Sequence, residues 1–375
     1  MSRSFLVAAV TGRALAASAL RGGHDVVVAD CFADRDTRQL ARHCRSVAGR
    51  RLRFDARALL AAASELAPPG RCAGLVYGAV FEGRVRLLER LAAGRRLFGN
   101  PPTVVAALRN VDRFCALLDR LEIPYPETRR TPPPPRGLTG WLVKLPGGAG
   151  GAHVRPAPAA GRPGPGGGYY QRFEAGVSHS ALFLADGRRA TVLGFNEQWA
   201  VPARRGRPFI YGGAVGGSVL PRAVEAEMRV KLDALVAATG LVGLNGLDFL
   251  LQSDRWLALE VNPRPTATVE LYDPDYPRGL FDWHLRACQG RLPRTPARPR
   301  AVRAHAVVYA LAPGRVGEVF SFPDWCCDVP NPGTRLLAGD PVCTVHAAAS
   351  DRDRAVTLVR RRQTAVQRAL SELAA

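Results

Sequence analysis

The 375-residue sequence predicts an α/β fold with α+β character: a Rossmann-like N-terminal domain, a larger mixed central domain and a small β-rich C-terminal domain. Three observations predict it. Over residues 1–98 buried-looking strands alternate with helices, which implies a parallel sheet. A strand carrying Lys144 runs into a glycine-rich loop that ends at His153. Between Gly243 and Glu270, two short acid-bearing strands flank a polar turn.

The elements follow in order. Residues 4–10 read as a strand, Thr11-Gly12 as a turn, 14–21 as a helix and 26–30 as a second strand. A helix near 56–66 and a strand at 75–78 continue the alternation. Asp30 stands where a ribose-binding acid would, but the first turn has Gly12 alone and lacks G-x-G-x-x-G, which favours a structural or substrate-side role. Pro101-Pro102 starts a helix, and Asp112-Arg113 opens another that stops before Ile123-Pro124-Tyr125-Pro126. A proline-rich connector at 131–135 precedes the strand 141–145, and a glycine/proline tract at 161–168 reads as a lid turn. Residues 169–174 give a strand and 180–200 two more. Pro221 to Thr239 is an amphipathic helix with Leu232, Leu235 and Val236 on one face. Short strands fill 302–346 and a final helix runs from Asp351 to Leu373.

Composition narrows the function. An apolar share of 47% excludes wholesale disorder. No apolar run reaches the roughly 18 residues of a membrane span. Thr11-Gly12-Arg13 interrupts the apolar N-terminus, which suits a first strand better than a signal peptide. The eight cysteines form no C-x-x-C, and the vicinal pair Cys326-Cys327 has no partner base, so the expected setting is the reduced cytoplasm. The formal charge of +20 is spread along the chain as arginine, without basic blocks and interleaved aromatics. Neither a nucleic acid nor a membrane is therefore the expected partner, although polyanionic or carboxylated ligands suit the charge. Lys144 and Lys231 are the only lysines. A lysine kept beside glycines in such a chain points to a need for a compact ammonium.

The hairpin carries the chemistry. Strands 246–251 and 256–261, joined by Gln252 to Arg255, can bring Asp248 and Glu260 onto one face, with Asn262 pointing the same way. Such oxygen ligands suit Mg²⁺, which prefers a few protein oxygens plus substrate phosphates. Arg264 adds a fixed positive charge, and burying Glu260 without a cation would be costly. The segment Val143 to His153 suits a phosphate clamp, since glycines let backbone N–H groups approach an anion. It is not a P-loop. His153, His179 and His284 read as ordinary polar residues.

Together these elements resemble an ATP-grasp enzyme over nearly the whole chain. The likeness is closest to the branch that holds biotin carboxylase and the purine-pathway carboxylases, and Asn331 to Val345 is similar to that branch's C-terminal strand-turn-strand piece. Within it the chain most resembles predicted ATP-dependent carboligases, some linked to tetrahydromethanopterin and methanofuran synthesis. The resemblance implies a pre-ATP-grasp domain over 1–98, an ATP-grasp domain over 99–291 with a lid at about 128–172, and a small domain over 292–375. It implies ATP and two Mg²⁺ ions as cofactors. Lys144 would bind the phosphates, covered by Gly148, Gly150 and Gly151. Gln171, Arg172, Phe173 and Glu174 would form the adenine hinge. Arg113 stands where the family often has a phosphate-contacting lysine. Asp248, Glu260 and Asn262 would ligate metal, and Arg264 would stabilise the transferring phosphoryl group.

Some positions depart from the family. The hinge lacks the usual Glu-Lys pair, and Ser178, His179 and Ser180 occupy the stretch of a ribose-binding acid. Thr268 replaces the biotin carboxylase base, which argues against biotin carboxylation; Glu270, two residues on, reads either as a base or substrate contact or as a purely structural residue. The implied activity is ligation of a small-molecule carboxylate to an amine through an acyl phosphate. An ATP-dependent carboxylase, a non-catalytic nucleotide-binding scaffold and a nucleic-acid binder are the rivals. The oligomeric state stays open, a homo-oligomer included.

Overall fold

The computed structural model describes residues 4–49, 54–131, 140–145, 148–157, 168–204 and 206–372. Most of the proline-rich connector (132–135), Pro146-Gly147 and positions 161–167 of the glycine/proline tract lie outside the described residues.

The N-terminal unit alternates as expected: β1 (Phe5–Ala9), α1 (Arg13–Arg21), β2 (Val26–Asp30), α2 (Arg35–Leu40), β3 (His43–Ser46), α3 (Ala56–Leu66), β4 (Gly74–Tyr77), α4 (Val85–Ala92) and β5 (Leu97–Phe98). All five strands pair in parallel, in the order β3-β2-β1-β4-β5. The period of two sorts the side chains onto two cores. Leu6, Val27, Leu75 and Tyr77 pack against Leu59 of α3 and Leu88 and Leu91 of α4. Val7, Val28 and Val76 pack against Leu15 and Ala19 of α1 on the other face.

Two helices, α5 (Pro102–Arg109) and α6 (Val111–Arg120), lead out of this unit. Asn110 caps α6 by accepting from the N–H groups of Asp112 and Arg113, both at 3.1 Å. A small antiparallel sheet follows, β6 (Thr128–Arg129), β7 (Trp141–Lys144), β8 (Val154–Pro156) and β9 (Tyr169–Arg172), in the order β6-β9-β7-β8.

The main sheet takes in β10 (Val177–Asp186), β11 (Ala190–Val201) and β12 (Ile210–Val215). After helix α7 (Arg222–Thr239) come β13 (Val242–Gln252) and β14 (Arg255–Asn262). Helix α8 (Gly279–Ala287) precedes β15 (Val302–Tyr309), β16 (Gly314–Arg315), β17 (Cys326–Cys327), β18 (Arg335–Leu336), β19 (Pro341–Ala349) and α9 (Arg352–Glu372). The order β14-β13-β10-β11-β12-β15-β19-β17 makes one eight-stranded sheet that runs across the expected division at 292. Helix α7 covers one face through Met228, Leu232 and Leu235. Phe281 and Leu285 of α8 join the core under α1, and its Leu280 joins the other face of the main sheet. Among the described residues no helix is long and apolar enough to cross a membrane.

Candidate functional site

The hairpin forms with longer strands and a shorter turn than the sequence suggests. Gln252 pairs with Arg255, which leaves Ser253 and Asp254 as the turn. Asp248 stands directly opposite Glu260, and Asn262 opposite Gly246, so the three candidate oxygen ligands share one face. Asn262 Nδ2 donates to Asp248 Oδ2 at 2.9 Å, and Gln198 Nε2 of β11 donates to Asp248 Oδ1 at 3.2 Å.

Electrostatics divides the two acids. Burial, then the neighbouring Glu260, raises the Asp248 pKa. Burial pushes Glu260 upward too, but Arg109, His153, Lys144 and Arg264 more than offset it and hold its carboxyl low. Lys144 ends β7 with 6% exposure; burial lowers its pKa, against the pull of Glu260 and Asp248. Glu260 lines a cavity of about 460 Å³ together with Arg109, Arg130, His153 and Tyr169, with Glu82 at its N-terminal side.

Arg109, in the last turn of α5, links two parts of the site. Its Nη1 donates to Glu260 Oε2 at 3.3 Å and its Nη2 to the Gly148 carbonyl at 3.2 Å. Arg113 is exposed on α6 and does not line the cavity, so the guanidinium beside Glu260 comes from one helix earlier. Arg264 is held between domains. Its Nε donates to Glu82 Oε1 at 2.5 Å and its Nη2 to Asn262 Oδ1 at 2.9 Å. Glu82 lies in a 3₁₀ turn, Phe81–Gly83, entered through Val80 at φ 88°. Burial works against the Arg264 charge, but Glu82 keeps its pKa above the usual value.

The glycine loop packs on β12. The Gly150 carbonyl accepts from Tyr211 N at 3.0 Å, and a Cβ on Gly151 (φ +73°) would stand 1.6 Å from the Phe209 carbonyl oxygen. The expected hinge residues lie at the end of β9 and do not line the cavity. Gln171 is buried and donates to Thr128 Oγ1 at 3.1 Å. Arg172 N and Phe173 N donate to the carbonyls of Glu127 (2.8 Å) and Gly140 (2.7 Å), Phe173 is 51% exposed, and Glu174 is half-buried.

Sequence reasoning missed Arg109, Glu82 and Gln198. The other departures are structural. His179 bonds Ser218 Oγ at 2.9 Å, and His284 bridges Phe98 O and Leu244 N. Asp30 accepts from the N–H groups of Gly12, Phe32 and Ala33.

Among the described residues no three His, Cys, Asp or Glu side chains converge as a metal cage. The donor set of Asp248, Glu260 and Asn262 nevertheless fits a hard cation that takes further ligands from phosphate oxygens. Two buried acids in strand register, one with a raised pKa, are what a divalent cation would relieve.

Residues 113–268 match the family model of the ATP-grasp domain. No curated protein matches the chain. Biotin carboxylase from Campylobacter jejuni superposes with a TM-score of 0.71 at 13% identity, covering 94% of this chain and 89% of that one. L-amino acid ligase from Bacillus licheniformis gives 0.67 at 15% identity, covering 97% and 98%. N5-carboxyaminoimidazole synthase from Aspergillus clavatus, in complex with ADP and 5-aminoimidazole ribonucleotide, gives 0.70 at 16%, covering 98% and 100%. The chain has the ATP-grasp fold, and its segment 113–268 is the part that matches the ATP-grasp domain.

Proposed function

We propose that the chain is an ATP-grasp enzyme, a carboxylate–amine ligase that uses ATP and Mg²⁺. One observation carries the reading: the cations Arg109, Lys144 and Arg264 surround Glu260, which pairs across the hairpin with Asp248 and lines a cavity together with Arg109, a geometry suited to a polyphosphate and its counter-cation. Lys144 binds the phosphates as a point charge, and the glycine loop covers them with backbone N–H groups. Asp248, Glu260 and Asn262 would hold magnesium, which screens the negative charge of the phosphates. A substrate carboxylate oxygen attacks the γ-phosphorus, its bond to the bridging oxygen of ADP breaks, and an acyl phosphate forms. Arg264, fixed by Glu82, offsets the charge on the transferring group. An amine nitrogen then adds to the acyl carbon, phosphate leaves, and the nitrogen gives up a proton. The lid sheet β6–β9 excludes water, which would otherwise hydrolyse the acyl phosphate.

The setting we propose, from the sequence resemblance, is cytoplasmic assembly of a one-carbon carrier of the tetrahydromethanopterin or methanofuran type. The test is ADP release from Mg-ATP against panels of carboxylates and amines, with Mg-ATP binding followed by calorimetry. Carboxylate- and amine-dependent ADP release, lost in Glu260→Gln, supports the ligase. Release that needs bicarbonate and ignores amines replaces it with a carboxylase. Absence of metal-dependent ATP binding removes the enzyme reading altogether.

A further inference from the structure

A second cavity opens beside the candidate phosphoryl site. It measures about 530 Å³ and is lined by Ala56 of α3, by Glu82 and Arg84, and by Arg86, Leu87 and Arg90 of α4. Glu82, Gly83, Arg84 and Val85 also line the first cavity, so the two share one wall. That wall is the connection from β4 to α4. In the order β3-β2-β1-β4-β5 the winding reverses between β1 and β4, and open parallel sheets bind ligands outside the strand ends at such a point.

Three features of the wall describe a ligand. Helix α4 begins without a side-chain cap and holds no acid in its first turn, which leaves its positive end to the cavity. Arg86 and Arg90 stand one turn apart, both exposed, and among the described residues neither has an ion-pair partner. Like charges at that spacing repel, and an anion between them relieves the repulsion. Arg84, by contrast, is anchored to the Phe54 carbonyl. The third feature is Glu82, which is 8% exposed. Its Oε1 accepts from Arg264, whereas its Oε2 has no hydrogen-bond partner. The turn that carries it is entered through Val80 at φ 88°, a conformation that β-branched residues rarely adopt. Because Arg264 already offsets the charge of Glu82, what is missing there is a donor, and an acceptor buried without one is destabilising.

We propose that the second cavity binds the far end of the acid substrate, an oxyanion with a hydroxyl or amide N–H close to it. The oxyanion, carboxylate or phosphate, takes Arg86, Arg90 and the start of α4, and the neighbouring donor takes Glu82 Oε2. The inference rests on the ligase reading for one point, that the activated carboxylate stands by Arg264. Glu82 touches Arg264 and lines both cavities, so one molecule can span them with its reacting carboxylate in the first. The acid is then at least dianionic. The nucleophilic amine is not held in this cavity and keeps its lone pair free for attack.

The test needs no turnover. Inorganic phosphate and sulfate are titrated calorimetrically into the full chain without nucleotide, as wild type and as the double variant Arg86→Ser/Arg90→Ser. Near neutral pH phosphate keeps an O–H and sulfate has none, so phosphate alone answers both the arginines and Glu82. The expected result is one equivalent of phosphate bound about tenfold more tightly than sulfate, and weakened about tenfold or more in the double variant. Both arginines are exposed, and an unchanged Tm shows that the double variant is folded. Absence of phosphate binding, equal binding by the double variant, or sulfate bound as tightly as phosphate overturns the proposal. Phosphate binding that depends on the two arginines, in a chain that fails to bind Mg-ATP, would instead overturn the ligase reading and leave the oxyanion site standing.

Discussion

Lys144 is the residue on which the candidate phosphate site depends most. Its ammonium is buried, and the acids that sustain it belong to a different sheet, so the charge is useful only when β7 and the hairpin close on each other. Lys144→Met should cut ATP affinity and turnover by about 100-fold, measured by calorimetry and ADP release. Lys144→Arg should rescue little, because the planar fork does not fit a buried point-charge position. Asp34 supports a prediction of a different kind. Burial, then Asp328, Asp30 and Asp36, raises its pKa from 3.8 to about 9. Between those values the folded chain holds a proton that the unfolded chain has lost, so stability falls as pH rises across that window. Thermal melting from pH 5 to pH 9 should show this fall, and Asp34→Asn should flatten it; an unchanged slope would remove Asp34 as its cause. The residues legible in the sequence were those with a local signature: a rare lysine beside glycines, and the alternation of Glu260, Asn262 and Arg264. Arg109 and Glu82 had none. One ends an ordinary amphipathic helix, the other sits in a 3₁₀ turn, and both reach the site only because the tertiary fold brings distant segments together.

At the scale of elements, hydrophobic period carried the reading of β1, β2, α3, α7 and the hairpin, and glycine hid β12. Gly212 and Gly213 weaken its strand pattern, yet they are required. A Cβ on Gly213 would stand 2.3 Å from the His305 carbonyl and 2.5 Å from the Trp199 ring, where β12 joins β15. That strand matters because the glycine loop of the lid rests on its entrance. Gly151→Ala would place a methyl against the Phe209 carbonyl at a φ that L-residues avoid. The expected outcome is a lid displaced from β12, with the KM for ATP raised about tenfold and Tm little changed. An unchanged KM would show that the loop's seat on β12 has no part in nucleotide binding. The short elements α2, β3, α4 and α8 escaped the reading because brief helices and strands are set by tertiary packing more than by their own pattern. Helix α8 shows this, with Phe281 and Leu285 filling the core beneath the N-terminal sheet.

For the whole molecule, the junction between the N-terminal sheet and the main sheet fixes the candidate site from behind. Asn100 is fully buried there. Its Nδ2 donates to Asn245 Oδ1 at 2.8 Å and to the Pro263 carbonyl at 2.9 Å, while its Oδ1 accepts from Val242 N at 2.8 Å. Tyr77 Oη donates to the same Pro263 carbonyl at 3.1 Å. Pro263 lies between Asn262 and Arg264, so the N-terminal unit holds the stretch of chain that carries a candidate metal ligand and the arginine proposed to stabilise the phosphoryl group. Asn100→Ala deprives Val242 N and Asn245 Oδ1 of these bonds and leaves the Pro263 carbonyl with Tyr77 alone, at a cost of about 2–4 kcal/mol. Urea unfolding should show that loss as a lower midpoint in one transition with an unchanged slope, because the N-terminal unit's core borrows Phe281 and Leu285 across the junction. Turnover should fall together with stability, since a Pro263 held by Tyr77 alone loosens Asn262 and Arg264 as a pair, whereas the proposed ATP contacts at Lys144 stay intact and KM moves less than kcat. A second unfolding transition, or full activity in the folded variant, would mean that the two units act independently and that the N-terminal sheet does not position the site.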